Sequence, residues 1–178
     1  AIRVLDTLSP QIHGNIPAAL DHLRHPGVEF IRGSVLNAAD IRRGIDGVDS
    51  IIHLAAETGT GQSMYQIAHY NQVNSQGTAE LLDVLVNSRT HKVSRLVLAS
   101  SRSVYGEGAY CCHACSPEAR QYPGSRSAEQ LARHSWEPLC QHCQQPLTSV
   151  PTCESDLVSP ASIYAATKFA QEDLVRIA

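Results

Sequence analysis

The sequence predicts an α/β fold built on a doubly wound parallel sheet, and three observations point to it. Short β-branched and apolar runs alternate with stretches of helical periodicity. Two of these runs, Val48–Ala56 and Val93–Ala99, become almost wholly apolar, as strands covered on both faces do. Hydroxyl side chains then gather just after the second of them, at the sheet edge where open α/β folds bind ligands.

The elements come in this order. Ile2–Leu5 reads as a strand ending at Asp6, with a turn at Ser9-Pro10. His25-Pro26-Gly27 is a turn into a second strand, Val28–Ile31. Asn37–Gly47 has an N-cap, Ile41 and Ile45 at i,i+4, and a glycine stop, so it predicts a short helix. Val48–Ala56 is the third strand. Met64–Asn87 lacks proline and carries Leu81, Leu82, Leu85 and Val86 as an apolar stripe, predicting one long helix. Val93–Ala99 is the fourth strand, and Ser159–Ala178 a closing helix with Ile163, Phe169, Leu174 and Val175 available for burial. Residues 107–158 break the alternation: this stretch holds five of the nine prolines, all six cysteines and the one tryptophan. So long a loop needs its own scaffold, which marks it as an insertion.

Composition narrows the function classes. At 178 residues, with 43% hydrophobic and 17% charged residues, the chain can bury one substantial core. A formal charge of −3 with scattered basic residues gives no footprint for nucleic acid. No apolar run is long enough for a membrane span, and Ala1–Asp6 lacks the features of a signal peptide, so a cytoplasmic location is expected.

The chemistry concentrates at two places. The fourth strand runs into Ser100-Ser101-Arg102-Ser103-Val104-Tyr105-Gly106, and the closing helix carries Tyr164-Ala165-Ala166-Thr167-Lys168. Tyr164 and Lys168 at i,i+4 share a helix face. An ammonium beside a phenol favours the phenolate, which makes Tyr164 a usable base for a sugar hydroxyl. Ser101 could hold the same oxygen, and removal of the carbon-bound hydride would need a nicotinamide. Taken singly, each residue has an ordinary structural reading: a buried Tyr with a snorkelling Lys, a serine capping a turn, an aspartate in a turn.

Together with Val4–Ser9, Val48–Ala56 and Val73-Asn74-Ser75-Gln76-Gly77-Thr78, these motifs resemble the extended short-chain dehydrogenase/reductases of the nucleotide-sugar epimerase and dehydratase type. The resemblance implies a Rossmann-like fold, with Tyr164 as base and Lys168 binding the nicotinamide ribose. It makes Ser101 the substrate-orienting hydroxyl, with Ser103 a possible assistant. Asp6 matches the acid that binds the adenosine ribose, and its carboxylate would repel a 2′-phosphate, favouring NAD. Ser34 and Val35, then Leu54, Ala55 and Ala56, match segments lining the dinucleotide, and Asn74 the helix asparagine near the site. The family often has aspartate where Ser34 follows Gly33. The implied substrate is a nucleotide-sugar, and a homodimer through Met64–Asn87 and Ser159–Ala178 is implied as well.

Within the insertion, Cys112-His113-Ala114-Cys115 and Cys140-Gln141-His142-Cys143 form two C-x2-C knuckles separated by 24 residues. Four thiolates from two tight turns suit a closed structural zinc site and would order a segment without a core. Disulfides in an exported protein, or an unligated loop, are the other readings. Cys111 and Cys153 read as spare thiols. The insertion resembles one carried by some bacterial epimerases of dTDP-L-rhamnose.

The family opens with a strand and a glycine-rich turn that seats the pyrophosphate, and it continues past the catalytic helix into a substrate lobe. Neither pattern occurs here, so the chain is expected to be part of a larger enzyme and inactive alone. The expected activity of that enzyme is NAD-dependent 4-epimerisation through a transient 4-keto sugar. A 4,6-dehydratase is the nearer rival, disfavoured because Arg102 and Ser103 stand where an acid pair is wanted. A non-catalytic NAD(P)-binding regulator or scaffold is the rival of another class.

Overall fold

The computed structural model describes residues 1–14, 21, 23–88 and 90–178. Its first half is two parallel strand pairs with helices. β1 (Ile2–Asp6) leads through α1 (Pro10–His13) to β2 (Val28–Arg32), and the two strands pair from Ile2↔Val28 to Asp6↔Arg32. α2 (Ala38–Ile45) comes next, with the Asn37 side chain accepting from the Ala39 N–H at 2.9 Å, as its N-cap position requires. β3 (Ser50–His53) pairs in parallel with β4 (Arg95–Leu98). Among the described residues the two pairs share no strand hydrogen bonds, so the expected sheet is present as separate β1–β2 and β3–β4 pairs.

The helical layer joins them. Ile41 and Ile45 of α2 pack against Leu81 and Val84 of α5 (Gly77–Asn87), over Ile51 of β3 and Leu96 of β4. The expectation that these strands are covered on both faces fails in one respect. Period-2 alternation turns Ile52 and Val97 to the opposite face, where they are 69% and 50% exposed, because no described element covers it.

The expected single helix Met64–Asn87 is divided. A turn of helix, α3 (Thr60–Ser63), precedes α4 (Ile67–Tyr70), a π-helical stretch Asn71–Gln76, and then α5. Asn74 lies inside the π stretch and sends its side chain back to the Glu57 backbone, while Gly77 lets the chain close on Val35: a Cβ there would meet the Val35 side chain at 2.7 Å. A distorted ladder at such a point is a frequent companion of functional sites.

The segment between β4 and the last helix folds around its own sheet. β5 (Tyr110–Cys112) lies between β6 (Ser116–Gln121) and β7 (Thr148–Ser149), antiparallel to both, with a short helix α6 (Ala128–Ala132) in the same segment. Its own small cluster consists of Cys112, Cys140 and Leu147. The two ends of the segment are tied together, since Val104 C=O accepts from Ser159 N–H at 2.9 Å and Ala109 C=O from Val150 N–H at 3.0 Å. The chain closes with α7 (Ile163–Ile177), which packs on α5, on the π stretch and on the end of β4.

Candidate active site

α7 begins at Ser162, whose Oγ accepts from the Ala165 N–H at 3.1 Å. Tyr164 therefore sits in the first turn, half-buried, and Lys168 one turn on, only 2% exposed. Burial pushes the Lys168 ammonium below the usual lysine range, and the Glu172 carboxylate opposes that shift. Lys168 makes no side-chain hydrogen bond or ion pair with the described residues.

After β4, a 3₁₀ turn at Arg102–Tyr105 is capped by Ser101, whose Oγ accepts from the Ser103 N–H at 3.2 Å. The capping reading of Ser101 is thus correct, yet its hydroxyl proton remains free to donate, so capping and substrate contact are compatible. Ser100 donates its hydroxyl to Glu172 on α7, and α7 packs against the 3₁₀ turn. Strand end and helix are joined at this contact.

Asp6 ends β1; its Oδ1 accepts from the Leu8 N–H at 2.6 Å and lies 3.6 Å from His13 Nε2. Leu8 has φ of 55°, a left-handed conformation uncommon for leucine, which the Asp6 hydrogen bond helps hold. Ser34 and Val35 are half-buried after β2. Asp40 of α2 accepts from the Ser34 N–H at 3.1 Å. Leu54, exposed, and Ala55 and Ala56, half-buried, come after β3. Asn74 is fully buried, and its amide is spent within the protein. Oδ1 accepts from Glu57 N–H at 2.7 Å, and Nδ2 donates to Glu57 C=O at 3.2 Å and to Thr167 Oγ1 at 2.9 Å.

Behind the site lies a polar network that the sequence pattern does not reveal. Thr78 donates its hydroxyl to Asn74 C=O at 2.8 Å and accepts from Gln171 Nε2 at 2.5 Å. His53 Nε2 is 2.9 Å from the same oxygen, so the ring must donate there, which fixes the Nε2–H tautomer. Burial, then the Lys168 charge, lowers the His53 pKa to about 4. Tyr70, fully buried, donates to Thr58 C=O at 2.5 Å. Helical spacing alone places Thr78 and Gln171 on inward faces, but nothing in the pattern pairs them with His53.

Cys112, Cys115, Cys140 and Cys143 converge in the separate segment, their sulfurs all within 4.8 Å of one another. Cys112 lies 3.4 Å from Cys143 and 3.5 Å from Cys115, and Cys115 lies 3.6 Å from Cys140. These separations exceed a disulfide's roughly 2 Å bond and come near the edge of about 3.8 Å that metal–sulfur bonds of about 2.3 Å give a tetrahedron. Backbone N–H groups of Cys143 and His142 pull the Cys140 thiol down to about 6, toward the thiolate that metal binding needs. The four side chains could hold a metal ion. A groove of about 360 Å³, lined among others by Arg102, Tyr105, Thr152 and Glu154, separates this segment's end from the 3₁₀ turn.

The sequence matches the model of the NAD dependent epimerase/dehydratase family over residues 2–178. The chain belongs to this family. Within it, the chain is 37% identical over 178 residues to dTDP-L-rhamnose 4-epimerase of Burkholderia thailandensis, covering 97% of this chain and 45% of that protein. It is 29% identical over 140 residues to dTDP-glucose 4,6-dehydratase of Streptomyces niveus, covering 76% of this chain and 40% of the other. The fold resembles that of the dTDP-glucose 4,6-dehydratase DesIV from Streptomyces venezuelae, solved with NAD and TYD bound. The TM-score is 0.65 at 26% identity, over 98% of this chain and 40% of that one. This epimerase/dehydratase chain therefore has a Rossmann-like α/β architecture, and it spans less than half the length of each of these relatives.

Proposed function

We propose that this chain carries the catalytic group of an NAD-dependent nucleotide-sugar 4-epimerase. The observation that carries the reading is the joined strand end and helix: Ser101 on its 3₁₀ turn, Tyr164 and Lys168 one turn apart on α7, and the Ser100–Glu172 contact between them. In this reading Tyr164 takes the proton of the C4 hydroxyl, and Ser101 donates a hydrogen bond to the same oxygen. Lys168, a buried ammonium without a partner among the described residues, suits the hydroxyls of the nicotinamide ribose. Bound NAD supplies reversible hydride acceptance at C4. In this reading Asp6 at the end of β1 takes the adenosine ribose, and Ser34, Val35, Leu54, Ala55 and Ala56 contact the dinucleotide, with Asn74 holding the Glu57 backbone beside them. Around that hydride exchange, Tyr164 removes the hydroxyl proton as the 4-keto sugar forms and returns it once the sugar has rotated and regained its C4 hydrogen.

The similarity to a dTDP-L-rhamnose 4-epimerase over nearly the whole chain supports a nucleotide-6-deoxyhexose substrate. The 4,6-dehydratase reading draws on the Streptomyces relatives, but Arg102 and Ser103 come directly after Ser101, and neither is the acid that elimination at C5–C6 would use. In the same proposal the four knuckle cysteines hold one structural zinc ion, and the segment 107–158 is a ribbon-like insertion ordered by it.

Tyr164→Phe in the protein at its natural length tests the catalytic assignment. General-base loss lowers kcat by about 10²- to 10⁴-fold with NAD still bound. A variant with near-normal turnover refutes Tyr164 as the base, and absence of turnover in the wild type on any nucleotide-sugar favours a non-catalytic NAD-binding protein.

A further inference from the structure

The Tyr164 backbone is held at both ends, at its N–H directly by α3 and at its C=O by Thr167 of its own helix, which Asn74 ties to the same segment. Its N–H donates to Ser63 Oγ at 3.0 Å, and Ser63, fully buried, donates its own proton to Thr60 C=O at 2.6 Å. Its C=O accepts from Thr167 Oγ1 at 2.8 Å, and Thr167 in turn accepts from Asn74 Nδ2 at 2.9 Å. Asn74 closes the circuit on the Glu57 backbone through both ends of its amide. Each hydroxyl and amide proton on this path has one direction, and the arrangement has no alternative of equal quality.

The first N–H groups of a helix have no partner within it. Ser162 satisfies that of Ala165, whereas the N–H of Tyr164 is satisfied from α3. We infer that Ser63 and Thr167 are positioning residues for Tyr164, fixing the first turn of α7 to the segment 57–74 so that the phenol stands at a set distance from Lys168 and the sugar. The inference rests on the proposed role of Tyr164. It also explains the π stretch: the distortion at Asn71–Gln76 lets Asn74 reach Glu57 and Thr167 together.

The test compares Ser63→Ala, Thr167→Val, Thr167→Ser and Tyr164→Phe in the protein at its natural length, with bound NAD and melting temperature recorded for each. Ser63→Ala and Thr167→Val are expected to lower kcat by about 10- to 100-fold, the scale of small misplacements, with KM within about twofold. The loss is expected in kcat counted per bound NAD, a readout that a mere loss of folded protein would leave unchanged. Thr167→Ser, which keeps the hydroxyl, restores it. Wild-type kcat per bound NAD in folded Ser63→Ala or Thr167→Val overturns the inference. Should Thr167→Val fail to fold, Ser63→Ala decides alone by the same criteria. Full activity in Tyr164→Phe is a separate failure, because it removes the base itself rather than its positioning.

Discussion

Gly106 shows how a single position ties the Ser101 turn to the approach to α7. It ends the 3₁₀ turn with φ of 62°, and a Cβ there would meet Ser159 C=O at 2.4 Å. Both facts demand glycine, and the second keeps the two backbone segments in contact. Gly106→Ala should cost about 1–3 kcal/mol from backbone conformation alone, read as a lower denaturation midpoint. It should also lower kcat, because the backbone of Ser159 must retreat. At this scale Tyr164, Lys168, Ser101 and Asp6 stand out in the sequence by side-chain chemistry at recognisable offsets. Ser63 and His53 do not, because a buried hydroxyl or imidazole is recognised by its partner, and those partners lie far along the chain.

Among the elements, the strands and α2 were legible because alternation and a capped i,i+4 pair are local signals. The interruption of the long helix was not. Residues 64–87 are free of proline, and the π stretch arises from a tertiary demand, Asn74 reaching Glu57, that no periodicity records. Nor could alternation say that Ile52 and Val97 would face outward. The network that clamps α5 to α7 carries a pH dependence. His53 has a folded pKa of about 4 against an ordinary 6.5, so below about 6.5 the unfolded chain binds more protons. Its contribution is fully present above that value and is lost as pH falls toward 4. A histidine NMR titration should show the His53 ring neutral at pH 5.5; a charged ring at that pH contradicts the network. In the insertion, Asp156 accepts from Arg120 on both oxygens, from Tyr122 and from the Cys153 N–H. The Arg120 hydrogen bond, against burial, lowers its pKa to about 2, so this anchor persists until pH falls through the range from about 4 to 2. Asp156→Asn should loosen the insertion at neutral pH, seen as faster amide exchange at Cys153.

Over the whole molecule, the strand pairs and helices carry the Tyr164 helix, while the Cys-rich segment gathers its own four sulfurs and is joined at its ends by Val104–Ser159 and Ala109–Val150. Under the proposed zinc site, stripping the metal from the protein should release one zinc per chain and unfold residues 107–158, and Cys140→Ser should be isolated without zinc. Metal analysis paired with circular dichroism checks both, and a zinc-free protein with an unchanged spectrum contradicts the structural role. A homodimer through the outer faces of α5 and α7, where Val86 and Ile177 are exposed, belongs to the same proposal and is tested by sedimentation. Among the described residues no helix is long and apolar enough to cross a membrane.

The most direct test tracks the hydrogen at C4. A nucleotide-6-deoxyhexose deuterated at C4 is incubated in ordinary water with the protein at its natural length, and the product is read by NMR. The expected result is inversion at C4 with the deuterium retained there, since the hydride leaves and returns without meeting solvent. Loss of the C4 label to water, or release of a 4-keto product in place of the inverted sugar, would contradict a 4-epimerase.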